Sequence, residues 1–320
     1  MRRGRIKIYF GDNISAKPNL NTLIPYHSLY TKKIYMDAIE KSSTELLGDD
    51  MKQYEAEYET TISGDHAFII RADGHSFSNF TKGFFEPFDD NFKKAMILTM
   101  NDCIDKFHAV TGYTHSDEIT LIFPQAKLLP GSSTERQTHF FSGRVCKILT
   151  LVASYISVRF NYHLVTLVTA VQASIGRERY TDAFMQKLLD MSAHFDARIL
   201  AFGPDDLIDI ARHMIWRSLK DCTQNCISTY ARVYYSDKHL HGKNGNEMIE
   251  MMREKGLNWE TDVPEDLKIG TYAKKELYGM EAVDKATGHT VVVQRGRIVN
   301  KVMKAQNNVD FLDMLLRKYW

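Results

Sequence analysis

Apolar positions along the chain fall into two periods, one of strands and one of helices. Phe68-Ile69-Ile70-Arg71-Ala72 is a short apolar run that ends on Asp73-Gly74. A run of this length, bounded by Gly and polar turn residues, predicts a buried strand. Tyr113 to His115 and Ile119 to Phe123 form a second β-prone stretch, turning at Ser116-Asp117. Between the two, Phe92, Ala95, Met96, Thr99, Met100, Cys103, Ile104 and Phe107 keep helical spacing and mark a core-facing stripe. Pro87 with Asp89 or Asp90 supplies the start of that helix. After a polar loop over 125–137, the stripe Phe141, Val145, Ile148, Leu149, Val152 and Ile156 predicts a long helix from Thr138 to Phe160. β-prone Leu164 to Val171 comes next, then an amphipathic helix around Thr181 to Met191. A strand from Phe195 to Phe202 completes the order β-α-β-β-α-β, apart from the inserted piece at 161–192.

The flanks are less regular. Pro18 and Pro25 break any long element before a short acidic helix over Leu46 to Glu55. Pro204-Asp205-Asp206 caps a helix through Ile208, Ala211, Ile215 and Leu219, and a second helical part carries Asn225, Ile227 and Tyr230. Beyond Ser236 the chain is more polar, with a helix at Met248 to Met252 and exposed strands at Lys268 to Lys275 and Val291 to Val299. The expected division is an N-terminal extension over 1–45, a catalytic domain over 46–235 and an RNA-contacting C-terminal region over 236–320.

Composition changes the picture in a few places. The net charge of +1 excludes a global basic field, so a nucleic-acid surface must be a local patch. Two such patches are Arg295, Arg297, Lys301 and Lys304, and Lys268, Lys274 and Lys275. With Tyr272 and Tyr278 they either track an RNA backbone or form a solvated surface. No segment is long and apolar enough to span a bilayer, so no membrane partner is expected. Cys103, Cys146, Cys222 and Cys226 sit in helical contexts that suit reduced thiols. Cys222 and Cys226 are one helical turn apart, but no second Cys/His pair at ligand spacing completes a zinc site. The basic start Met1 to Lys7 lacks the apolar core of a signal peptide. A cytoplasmic location is expected, with the mitochondrion as the alternative.

The candidate chemistry lies where strands end on acids. A desolvated carboxylate needs a partner, and a divalent metal is the natural one when two converge. Asp73 and Asp117 are expected to meet across adjacent strands and hold Mg²⁺, whose remaining positions substrate phosphates fill. Gly74 lets the backbone approach a ligand, and the N–H groups of the loop that follows can cradle phosphate oxygens. Phe77 and Phe80 either stack on a base or plug the domain edge. Arg144 and Lys147 lie near a helix N-terminus, where cations are disfavoured. They suit a triphosphate, unless they are an ordinary solvated face.

Several blocks together resemble the tRNA-His guanylyltransferase family, in its guanylyltransferase-like branch of 3′-to-5′ polymerases. They are Arg71-Ala72-Asp73-Gly74-His75-Ser76-Phe77, Phe80-Thr81-Lys82-Gly83, Pro87-Phe88-Asp89 and Tyr113-Thr114-His115-Ser116-Asp117-Glu118. Leu47 to Glu55, Gly143 to Lys147, Phe195 to Arg198, Trp216-Arg217 and Asn225 to Ser228 match further blocks, over roughly residues 46 to 300. The resemblance implies an α+β fold. Its core is a ferredoxin-like polymerase palm, an antiparallel β-α-β-β-α-β sheet with helices on one face, followed by a helical and small β C-terminal extension. It implies two Mg²⁺ ions on Asp73, Asp117 and the carbonyl of Gly74, with Glu118 supporting them. It implies nucleotide contacts at Asp73, Gly74, His75, Ser76, Phe77, Ser78, Lys82, Ser116, Asp117, Arg144 and Lys147. ATP or GTP would activate a tRNA 5′ end, which the 3′-hydroxyl of an incoming nucleoside triphosphate then attacks, adding a residue and releasing the activating group. A homotetramer is expected from the same resemblance. Glu86 departs from it, standing where the family commonly has Lys. Two other readings are a palm-type nucleotide cyclase, which needs no RNA, and a catalytically idle tRNA-binding protein.

Overall fold

The computed structural model describes residues 44–175, 180–283, 285–286 and 288–320. The chain divides into two units, residues 1–58 and 59–320. In the first, helix α1 (Thr44–Ala56) forms where the acidic helix was expected. The expected extension over 1–45 otherwise lies outside the described residues.

The second unit is built on a six-stranded antiparallel sheet of order β4-β1-β3-β2-β5-β6. The strands are β1 (Ala67–Gly74), β2 (Thr111–His115), β3 (Glu118–Phe123), β4 (Phe195–Phe202), β5 (Thr271–Val283) and β6 (Thr290–Lys301). Alternation along a strand sends neighbours to opposite faces, so β1 serves two cores. Phe68, Ile70 and Ala72 join Leu121 and Ile119 against helices α3 (Asp90–Phe107) and α4 (Val145–Ile175). Ala67 and Ile69 join Ile122 and Tyr113 against α6 (Ile208–Ile215) and α12 (Val309–Leu316). The two palm helices therefore share one face, and elements from beyond β4 cover the other. The first four strands keep the expected β-α-β-β-α-β order, and β5 extends the same sheet by pairing with β2.

Helix α4 departs from expectation. It runs on to Ile175, so the β-prone Leu164 to Val171 is helical. Its buried residues Ile148, Val152, Ile156, Phe160, Leu164 and Val168 recur every fourth position as one stripe. Packing of that stripe overrides the strand preference of its β-branched residues. The amphipathic helix follows as α5 (Asp182–Leu189), capped by the Thr181 side chain.

Beyond β4, α6 continues through a wide π-type turn, Trp216–Asp221, into α7 (Cys222–Tyr234). The short helices α8 (Asp237–Leu240), α9 (Gly245–Glu254), α10 (Trp259–Asp262) and α11 (Glu265–Ile269) follow. With α7 they enclose a small core of Cys226, Ile227, Ala231, Leu240, Met248, Met252 and Trp259. Helix α11 occupies the start of the stretch expected as the strand Lys268 to Lys275, and β5 begins at Thr271. Among the described residues no helix is long and apolar enough to cross a membrane.

Candidate active site

The end of β1 and the tip of the β2–β3 hairpin form one corner of the sheet. Asp73 lies opposite Glu118 on one side and Asp196 on the other, and the Gly74 N–H donates to the Asp117 carbonyl at 3.1 Å. Ser116 turns the tip in the left-handed region, φ 47°. Asp117 is thereby held beside Asp73. Burial, and with it the charge of Asp73, raises the Asp117 carboxyl above its ordinary value. Hydrogen bonds from its own backbone and from Ser116 oppose that shift. Among the described residues no basic side chain pairs with either carboxylate. Two mutually repelling carboxylates without a cationic side chain are a donor set of hard oxygens, which fits a divalent cation such as Mg²⁺.

Glu118 has a different environment. It is 3% exposed and accepts from Arg71 at 3.1 Å and from Arg217 at 2.8 Å, with a second, shorter Arg217 contact. Arg217 also pairs with Asp221 at 2.9 Å, and Asp221 lies 3.5 Å from His115. His115, Glu118 and Asp221 bring three ligand atoms within 4.8 Å of one another, but the Arg217 guanidinium already bonds two of them. Glu118 is therefore a support of the hairpin tip, anchored from the π-type turn. Such widened turns recur at functional sites. No local pattern in the sequence points from Glu118 to its partner Arg217, 99 residues away. Arg71, two residues before Asp73 on the same strand face, was the readable half of this network.

The loop after β1 leads into α2 (Phe77–Phe80). The rings of Phe77 and Phe80 are 3% and 8% exposed, packed on Phe160 and each other. They plug the domain edge and leave no face for a base. A Cβ on Gly74 would collide with the Phe77 ring, so this glycine admits the ring. His75, Ser76 and Ser78 are exposed, Ser76 in the left-handed region at φ 57°. Lys82 is exposed and donates to Asn79 Oδ1 at 2.9 Å.

A cleft of about 620 Å³ opens beside the corner, within the range of about 300–1,000 Å³ common for ligand sites. Ser78, Thr81, Ser116 and Asp117 line it, as do Asn225, Thr229 and Arg232 from α7. Those three stand at i, i+4 and i+7, one face of the helix, a spacing visible in the sequence.

Arg144 and Lys147 are not brought to this corner. Arg144 bridges Thr61, and Lys147 lies 5.3 Å from the Phe141 ring centroid. Phe141 packs on Phe140, which packs on Phe123, the partner of Phe68 at the start of β1. Asp73 is five residues further along that strand, roughly 17 Å at about 3.3 Å per residue. The C-terminal patches are also thinned. Lys268, Tyr272 and Lys274 are buried, and Lys275 pairs with Asp105 at 2.7 Å. Lys274 donates to Val110 O, Thr111 Oγ1 and Arg317 O, and so ties the chain end to the sheet. Cys222 and Cys226 are buried, and burial pushes the Cys222 thiol up to about 12.

His213 adds an acid-sensitive element behind the corner. Burial, then the charges of Arg217 and Arg71, lower it to about 4 from 6.5. The unfolded chain binds the proton more readily between those values, so stability is full above about pH 6.5 and falls towards pH 4. The loss expected from this group is about 3 kcal/mol. Urea unfolding of His213→Gln should show a shallower decline over that window, and an unchanged decline would remove His213 as its cause.

Comparison with known proteins places the chain in a family. The family model for Thg1, tRNAHis guanylyltransferase, matches residues 48–203. An uncharacterized protein, R259, of Acanthamoeba polyphaga mimivirus is 36% identical over 288 residues, which are 89% of this chain and 94% of that protein. A bacterial tRNA(His) guanylyltransferase (Thg1)-like protein, solved in complex with ATP, superposes with a TM-score of 0.55 at 26% identity, over 77% of this chain and 91% of its own. Its complex with GTP gives 0.53 at 26% identity, over 79% and 90%. The chain belongs to the tRNA-His guanylyltransferase family, a family of nucleotidyltransferases.

Proposed function

We propose that this chain adds nucleotides to the 5′ end of tRNA in the 3′-to-5′ direction, either as guanylylation of tRNA-His or as template-directed 5′-end repair. The observation that carries the reading is the convergence of Asp73 and Asp117, without a cationic side chain, where Asp117 lines a nucleotide-sized cleft. Asp73, Asp117 and the Gly74 carbonyl would hold Mg²⁺. Bound there, Mg²⁺ supplies Lewis acidity to phosphoryl oxygens and lowers the pKa of a hydroxyl nucleophile. The exposed Ser76 and Ser78, with Ser116 at the hairpin tip, offer hydroxyl and backbone donors to a phosphate. Arg71 and Arg217 hold Glu118 and so keep Asp117 in place. Phe77 contributes packing. Arg144 and Lys147 stand near the opposite end of β1 from Asp73, so this reading gives them no role at the metal. This reading assigns RNA contacts to Arg295 and Lys304, exposed on and after β6, while Arg297 is paired with Glu276 at 2.7 Å. The complexes of the bacterial relative with ATP and with GTP support these nucleotides as substrates. A homotetramer acting in the cytoplasm belongs to the same reading.

The test is incubation with 5′-truncated tRNA, ATP and all four nucleoside triphosphates. Extension that matches the template strand is expected. Cyclic nucleotide from triphosphate alone, with no tRNA product, would identify a cyclase instead.

A further inference from the structure

The proposed reaction brings a polyanion into a cleft with acidic walls. Glu86, Asp89, Asp117 and Asp237 line it, and Arg232 is the one basic side chain among the described lining residues. Asp89 is committed elsewhere, since it accepts from Asn91 N, Phe92 N and Tyr180 Oη. Arg232 is held by one bond, from Nε to Asp237 Oδ1 at 3.0 Å. Both side chains are largely exposed, 60% and 85%. An exposed pair of this kind is worth about 0–1 kcal/mol, so its partner is easily exchanged. A polyphosphate offers several charged oxygens in the fork geometry that suits a guanidinium better than one carboxylate oxygen does. Asn225 and Thr229 line the cleft from the same helical face, and the Thr229 hydroxyl donates to Asn225 Oδ1 at 3.4 Å, which leaves the amide N–H groups for the cleft.

We propose that Arg232 is the phosphate receptor of this cleft, masked in the empty protein by Asp237. It leaves Asp237 to bind the phosphate chain of a nucleoside triphosphate. Asp237 is a displaceable counter-ion that lowers affinity for every anion the cleft admits. The proposal rests on the reading of the cleft as a nucleotide site, and its test separates the two.

Calorimetric titration of the full chain with ATP, ADP and AMP, in Mg²⁺ and without tRNA, supplies that test. Arg232→Gln should weaken ATP about tenfold, the loss of one hydrogen-bonded charge contact, and leave AMP near the parent value. Arg232→Lys should fall between the two. Asp237→Asn should tighten ATP about two- to fivefold, a gain that no folding defect produces. Arg232→Gln that binds ATP within twofold of the parent overturns the proposal, as does an equal loss for ATP and AMP. A parent that binds ATP but extends no tRNA removes the proposed reaction and leaves the receptor in place. A parent that extends tRNA, with Arg232→Gln unchanged in ATP affinity, does the reverse.

Discussion

Replacing Asp117 by Asn is expected to abolish 5′-end extension while raising the thermal midpoint of the metal-free chain. The two effects have one origin. Burial and the neighbouring Asp73 charge raise the Asp117 carboxyl, so the folded protein holds its proton more tightly than the unfolded chain does. At neutral pH the ionised side chain therefore costs stability. That cost is present above the folded pKa and disappears as pH falls through it. Asn keeps the shape and an acceptor for the Ser116 bond and removes the charge. The metal-free variant should thus melt above the parent at pH 7, with the difference closing in acid.

Catalysis moves the other way. With one of the two carboxylates proposed to hold metal gone, extension should fall by roughly 10³-fold or more. Asp73→Asn should lose as much. Adding Mg²⁺ separates this account from simple damage, because a ligand that binds only the folded state raises its melting temperature. Mg²⁺ should raise the midpoint of the parent and leave both variants unmoved. An Asp117→Asn protein that melts below the parent without metal, or still responds to Mg²⁺, would show that the two carboxylates are not one site.

Much of this corner was legible in the sequence because its signals are local. Phe68 to Gly74 is a contiguous apolar run ending on an acid, and the hairpin tip at Ser116-Asp117 lies between β-prone residues. Both became strand ends at the expected positions. What stayed hidden depends on topology. The start of α4 looked like a triphosphate site because Arg144 and Lys147 face an unfavourable helix dipole. Only the antiparallel course of α4 along the sheet puts that start at the far end from Asp73. Leu164 to Val171 reads as a strand because it is rich in β-branched residues, although Leu164 and Val168 continue the four-residue stripe from Ile148. Lys274 and Tyr272 looked like surface residues, yet the chain end folds over the lysine and Phe311 packs near the tyrosine. The Glu118–Arg217 pair joins positions 99 residues apart, which no period along the chain reveals.

That pair carries the second large effect. Arg217→Met should destabilise the protein by about 3 kcal/mol, as removal of one partner from a buried ion pair does. Glu118, 3% exposed, would keep Arg71 as its only guanidinium, and Asp221 would lose its bond to Arg217 and keep only His115 at 3.5 Å. The second substitution Glu118→Gln removes the excess negative charge left beside Asp221, while the Gln oxygen still accepts from Arg71. The double variant Glu118→Gln, Arg217→Met should therefore recover most of the lost stability in urea unfolding. It should not recover activity. The π-type turn grips the hairpin tip through this pair, and Asp117 is the residue next to Glu118. A tip released from that grip holds Asp117 less well against Asp73, so extension should require more Mg²⁺ even where the fold is restored. Recovery of stability and Mg²⁺ requirement together would make the pair a fold element alone. Arg217→Met as stable as the parent would mean that Glu118 is not held in the way its three arginine contacts describe.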